Sequence, residues 1–254
     1  MGLRRHSLLY SSIIMLVVLQ PLNSYLLFLQ NPISNFLLSL ANRKTNTPFI
    51  LLPLWGFLLF IILYILATAL YPGGSDANES AQGFSWRHNY WCELMATEAR
   101  NGQPNSARLV AITALFILAI SLVYFWYQVP LLFHNRKIDS RVIRYCGIGS
   151  MLVLPFLLNG MHDSVINLAA LLGCIAIATF LLNMYRHKIF RLFYFGLFCL
   201  LLCGINNYVY YTGHLLHLLP VIQKFTFLIF LLWFSLVTLK LYHRKDLSVI
   251  VPSA

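Results

Sequence analysis

The residues able to do chemistry in this chain are few and unevenly placed. Its 254 residues include 8 His, 7 Asp and Glu together, and 5 Cys. His6, His134, His187 and His243 lie beside Arg or Lys, whereas His88, His162, His214 and His217 fall in or next to other connections. Three imidazoles with an open water position are the pattern of a catalytic zinc site. There the metal brings the pKa of its water toward neutrality and a carboxylate accepts the proton. The candidate ligands are His162, His214 and His217, with His88 as a substitute, and Asp163 or Glu93 is the candidate base. On a helix His214 and His217, at i and i+3, share one face. The competing reading makes all of these hydrated helix ends capped by His and aromatic rings. His214-Leu215-Leu216-His217 is not the His-Glu-x-x-His metalloprotease motif, and the candidates come from three separate connections.

The elements that must position these groups are apolar stretches near 49–70, 109–129, 145–159, 165–184, 192–211 and 221–241. Most approach the roughly 20 residues that a helix needs to cross a bilayer's hydrocarbon core. With 59% hydrophobic and 10% charged residues and a mean hydropathy of +0.74, a soluble fold is excluded. The expected fold is all-α: a polytopic transmembrane bundle of six spans over 49–245, preceded by a hydrophobic segment 1–48 and followed by a cytoplasmic tail 246–254. Its first partner is the lipid bilayer. A formal charge of +11 does not imply nucleic acid, because the basic residues are scattered among short loops. Cys199 and Cys203, four apart within a span, read as packing. No glycine-rich phosphate loop, nucleophile elbow or Cys-x-x-Cys pair occurs.

The same scattered cations assign the sides of the membrane. Arg43-Lys44, Arg136-Lys137 with Arg141 and Arg144, Arg186-His187-Lys188 with Arg191, and Lys240 with Arg244-Lys245 occur at alternate ends of the spans. The positive-inside rule places them all in the cytoplasm. The connections 71–108, 160–164 and 212–220 then face outward, and carry Asp76, Glu79, Glu93, Glu98 and Asp163. Of 18 Lys and Arg, only Arg87, Arg100, Arg108 and Lys224 lie near that face. In the first segment, Arg4-Arg5-His6 followed by an apolar run resembles a signal sequence or anchor. Pro21, Asn23 and Pro32 break that run, leaving a hairpin, an anchor or an extra span over 8–41 open.

The outer loop 71–108 carries the densest motif. Ala69-Leu70-Tyr71-Pro72-Gly73-Gly74-Ser75 ends the first span, since Pro and Gly stop a helix and Tyr suits the interface. Phe84, Trp86, Tyr90 and Trp91 then suit a segment lying along the membrane surface. Within it Asn89 and Glu93, at i and i+4, share a helical face, so the loop is either an aromatic belt or a source of polar side chains for a site. Asn78-Glu79-Ser80 fits the glycosylation acceptor pattern. Asn206 and Asn207 add polar groups near the outer end of the fifth span. Lys224, a turn into the last, is expected to snorkel outward or pair with a carboxylate.

Tyr71-Pro72-Gly73-Gly74-Ser75, the run from Gly83 to Leu94, Asn101-Gly102-Gln103-Pro104-Asn105, His162-Asp163 and Leu219-Pro220-Val221-Ile222-Gln223-Lys224 resemble a family of bacterial multi-pass membrane proteins of unknown function, over about residues 50–245. That resemblance implies a topology and no activity. A more distant similarity is to membrane hydrolases of the alkaline ceramidase and adiponectin receptor type. It implies lipid-amide cleavage by His and Asp around zinc at helix ends. Those proteins carry His-x-x-x-His in the last span, whereas His214-Leu215-Leu216-His217 precedes it here. Two functional classes follow. The leading one is a non-enzymatic protein of a bacterial inner membrane, a transporter or accessory subunit, with a polar outer pocket for a small-molecule or lipid ligand. The other is a zinc-dependent hydrolase acting on a lipid or other amphiphile at the outer leaflet.

Overall fold

In a computed structural model, residues 47–133, 137–153 and 162–250 are described. They form six α-helices: α1 (Leu52–Leu70), α2 (Arg108–Gln128), α3 (Lys137–Val153), α4 (His162–Arg186), α5 (Phe190–Thr212) and α6 (Leu219–Ile250). Pro53 opens α1, a position where its missing N–H costs nothing, and Tyr71 in extended conformation ends it before Pro72. Among the described residues, five stretches are long and apolar enough to cross a membrane: Phe49–Leu70, Arg108–Leu132, Leu168–Arg186, Phe190–Thr212 and Leu216–Arg244. The chain is an all-α membrane bundle. The remaining expected span, 145–159, begins within α3 and continues onto residues outside those described, and the N-terminal segment 8–41 lies wholly outside them.

Each helix packs on the next in sequence, most extensively α1 on α2, α3 on α4 and α5 on α6, and α6 returns to touch α1. The centre is aromatic. Phe125 and Phe234 approach to 4.8 Å between ring centroids, and Phe180 lies 5.7 Å from Trp233 and 6.2 Å from Trp126. Close helix approach relies on small residues, as expected where lipid supplies no hydrophobic drive between helices. A Cβ on Gly147 would sit 2.3 Å from the Trp126 indole, and one on Gly196 would sit 2.5 Å from Leu181 Cδ2 and 2.6 Å from Trp233 Cζ2. Large apolar side chains such as Trp55, Leu58, Ile62 and Ile65 of α1 point outward, the surface a lipid solvent requires.

The two ends of the bundle differ in chemistry. One gathers Arg144, whose Nε donates to Tyr127 O, Arg186, whose guanidinium meets Asp139 at 3.2 Å, and Arg244, which donates to Leu132 O. The other carries the 71–107 connection. That segment is not a helix along the membrane surface. It forms an antiparallel hairpin, β1 (Gly73–Ser75) with β2 (Asn78–Gln82), and then a 3-10 turn at Trp91–Met95. Gly73 and Gly74 make the hairpin possible. Their φ angles are 144° and 83°, and a Cβ would lie 2.3 Å from Ala81 O and 2.4 Å from Asn101 N respectively.

Candidate functional site

The connection between α1 and α2 closes into a cap around one carboxylate. Glu93 lies in the 3-10 turn with 8% of its surface exposed. Its Oε2 accepts from Asn89 Nδ2 at 2.6 Å and its Oε1 accepts from Arg100 Nε at 3.0 Å. The expected Asn89–Glu93 pair is therefore real, but its geometry differs from the helical one. Tyr90 is extended, and a turn followed by a 3-10 segment brings the two side chains together. Asn89, wholly buried, also donates to Gly74 O at 2.7 Å, and its Oδ1 accepts from Ser85 N at 2.8 Å. Arg100 reaches on to Asp76 at 3.1 Å, and its backbone N–H donates to Tyr71 Oη at 3.0 Å. Burial lowers the Arg100 pKa, but the Glu93 hydrogen bond and the Glu93 and Asp76 charges more than offset it, so the net shift is upward. Burial pushes the Tyr71 phenol up, opposed by the Arg100 N–H it accepts.

Two further residues fasten the cap to the helices. Lys224, in the second turn of α6, extends back toward the helix N-terminus and donates to Asn89 O at 2.6 Å and Pro220 O at 2.9 Å. Of the two expectations for this lysine, neither describes what is found. It is 6% exposed, and backbone carbonyls rather than a carboxylate receive its ammonium. Asn105 does the same work at the α2 end. Its Nδ2 lies within 3.1 Å of the carbonyls of Glu93, Leu94 and Ala96, while its Oδ1 accepts from Ala107 N at 3.1 Å. Trp91 is wedged into the bundle with ring centroids 5.2 Å from Tyr64, 6.2 Å from Phe60 and 5.4 Å from Phe227.

His214 and His217 are placed differently from the expectation. They are exposed and do not share a helical face: α5 ends at Thr212, Leu215 adopts a left-handed φ of 60°, and only Leu216–Leu218 forms a 3-10 turn. His88 is half-buried on the cap. His162 and Asp163 open α4, but their side chains lie outside those described. Among the described residues, no three of His, Cys, Asp and Glu gather where a metal ion could be held. Beside the cap is an open polar cleft of about 920 Å³, lined by Pro72, by Glu79 to Gln82 of β2 and by Arg100 to Gln103. Arg100 links this cleft to Glu93. None of the described imidazoles lines it.

Sequence reading missed Arg100, Asn105 and Tyr71. Asn105 alone left a recognisable signal, an Asn whose side chain caps a backbone N–H just before an apolar helix. No family model, curated protein or solved structure matches the chain. Both resemblances therefore rest on the quoted motifs alone.

Proposed function

We propose that the chain is a non-enzymatic integral membrane protein of a bacterial inner membrane, an accessory subunit that presents its cap on the outer face. The observation carrying this reading is that the ionisable residues best placed for chemistry are engaged in structure. Both oxygens of Glu93 hold cap donors, and Lys224 holds the cap to α6. A general base needs a free oxygen within reach of the proton it takes. Each Glu93 oxygen already holds a donor of the cap, and Glu93 does not line the cleft. The aromatic packing of Phe125, Trp126, Phe180, Trp233 and Phe234 fills the middle of the bundle, which favours an accessory role over a transport path. Outward placement of the cap is supported by Arg144, Arg186 and Arg244 gathering at the opposite end.

Two measurements on protein solubilised from its membrane in mild detergent test the reading. The chain is expected to carry no stoichiometric zinc by elemental analysis, and to migrate with another membrane protein at a fixed ratio that Glu93→Gln lowers. One zinc per chain, lost on His162→Ala and His214→Ala, would overturn the reading in favour of a hydrolase. Migration as the 29.2 kDa chain alone would end the subunit assignment.

A further inference from the structure

At the end of the bundle opposite the cap, some cations are engaged by the protein, while others, those of the α4–α5 corner among them, are not engaged by any described residue. Arg144 and Arg244 donate to carbonyls at the end of α2 and just beyond it, and Arg186 is paired with Asp139. Lys188 and Arg191 are exposed and, among the described residues, have neither a carboxylate nor a hydrogen-bond acceptor. Both sit at the corner where α4 turns into α5. The corner is rigidly built: His187 N donates to Asn183 O at 2.9 Å, Lys188 N to Tyr185 O at 3.0 Å and Ile189 N to Met184 O at 2.9 Å. Lys188 itself is held in the left-handed region with φ of 58°.

The surface around these charges is aromatic and faces outward. Tyr185 is 52% exposed, Phe190 42% and Tyr194 62%. The three rings form a ladder, with centroids 5.8 Å apart from Tyr185 to Phe190 and 6.5 Å from Phe190 to Tyr194. The corner separates two stretches of membrane-spanning length, Leu168–Arg186 and Phe190–Thr212, so the ladder lies where hydrocarbon gives way to headgroups. Tyrosines at that depth place an apolar ring in the acyl region and a hydroxyl in water. Cations beside them, with no partner among the described residues, suit phosphate at that depth.

We propose that the α4–α5 corner is a binding surface for anionic phospholipid. The headgroup phosphate is taken by Lys188 and Arg191, and the upper acyl chain lies along Tyr185, Phe190 and Tyr194. Charge complementarity selects the lipid: the corner offers two positive charges with no partner among the described residues, and Asp139, the one acid at this end whose side chain is described, is already paired. The aromatic ladder selects a membrane-embedded ligand over a soluble anion. Each basic residue near an anionic leaflet strengthens association about fivefold.

The test uses the full chain in detergent micelles, equilibrated with equimolar phosphatidylglycerol and phosphatidylcholine, with retained lipid counted by native mass spectrometry. Phosphatidylglycerol is expected to be retained in preference. The double variant Lys188→Gln with Arg191→Gln should lower that preference roughly twenty- to thirtyfold, one factor of about five per charge removed. Lys188→Arg with Arg191→Lys should keep it. Lys240→Gln, which removes an exposed cation of α6, should leave it intact. Circular dichroism confirms that the variants remain folded. Equal retention of both lipids by the wild type would overturn the proposal. So would an equal loss in the Lys240 variant, which would mean diffuse charge, or displacement of phosphatidylglycerol by millimolar inorganic phosphate, which would mean a soluble ligand.

Discussion

Replacing Glu93 by Gln keeps the shape of the side chain and removes one acceptor from a group whose two oxygens are both in use. A carboxamide offers one oxygen and one N–H₂, so either Asn89 Nδ2 or Arg100 Nε must face a donor. Asn89 is wholly buried and cannot turn to water, so the amide oxygen goes to Asn89 and Arg100 is released. A hydrogen bond to a charged group contributes about 1.5–3 kcal/mol. The Arg100 side chain is 47% exposed and keeps Asp76 at 3.1 Å, so solvent screening lowers the loss to about 1–2 kcal/mol. That corresponds to roughly five- to thirtyfold more frequent opening of the cap. Hydrogen exchange followed by mass spectrometry reads it directly. The amides of Ala99, Arg100, Asn101 and Gly102, bonded to Gln103 O, Tyr71 Oη, Gly73 O and Ala99 O, should exchange faster by that factor, while peptides from Phe190–Thr212 stay at the wild-type rate. Exchange within twofold of wild type, or equal acceleration in the cap and in α5, would refute a cap closed through Glu93.

Lys224→Met retains the stem and removes the ammonium, leaving Asn89 O without its donor inside the protein. About 1–3 kcal/mol of cap stability should be lost, measurable as faster exchange over 83–95 and a lower melting temperature. Gly196→Ala forces a methyl against Leu181 and Trp233 and should destabilise the bundle by about 1–3 kcal/mol. Gly204→Ala, mid-helix with nothing within 4 Å of the added atom, should not lower the thermal midpoint and is expected to raise it slightly. The Cys92 side chain reaches the surface, yet enough of the cap surrounds it that desolvation, and then the Glu93 charge, raises its thiol pKa. A raised pKa means less thiolate at neutral pH, so labelling by an impermeant maleimide from outside intact cells should be slow at pH 7 and climb only at a higher pH than for an ordinary exposed thiol. Labelling of Cys92 only in inverted vesicles would reverse the assigned sidedness.

The spans were legible because hydropathy over 20 residues is a bulk property that no single contact decides. Tyr71 to Ser75 was legible as a helix stop for a local reason: only extended or glycine backbone fits there. The cap was not readable in the same way. Glu93 and Arg100 are seven residues apart and meet across a turn, so no helical or strand period couples them. Asn89 and Glu93 had the right spacing for an α-helix and were brought together by another geometry. The histidines show the converse. The charge pattern led to the expectation of His88, His162, His214 and His217 on one side of the bilayer, but a shared side does not make side chains neighbours, and the left-handed Leu215 between His214 and His217 removes even the common face expected of that pair.

Capping and bundle packing are one problem in this chain. A connection from Tyr71 to Ala107 is too short to bury a core of its own, so its stability has to come from the helices it covers. Trp91 supplies the apolar part by entering between Phe60 and Tyr64 of α1 and Phe227 of α6. Lys224 and Gln223 of α6 supply the polar part, the latter accepting Trp91 N–H at 3.4 Å. Ser106 Oγ ties the return to α2 onto Leu70 O at the end of α1. The cap is thus fastened to three helices at once. A shift of α6 by one helical turn, about 5.4 Å, would carry Lys224 out of reach of Asn89 O and withdraw Phe227 from Trp91. The arrangement of Glu93, Arg100 and the cleft that Arg100 borders therefore depends on how α1 and α6 stand against each other.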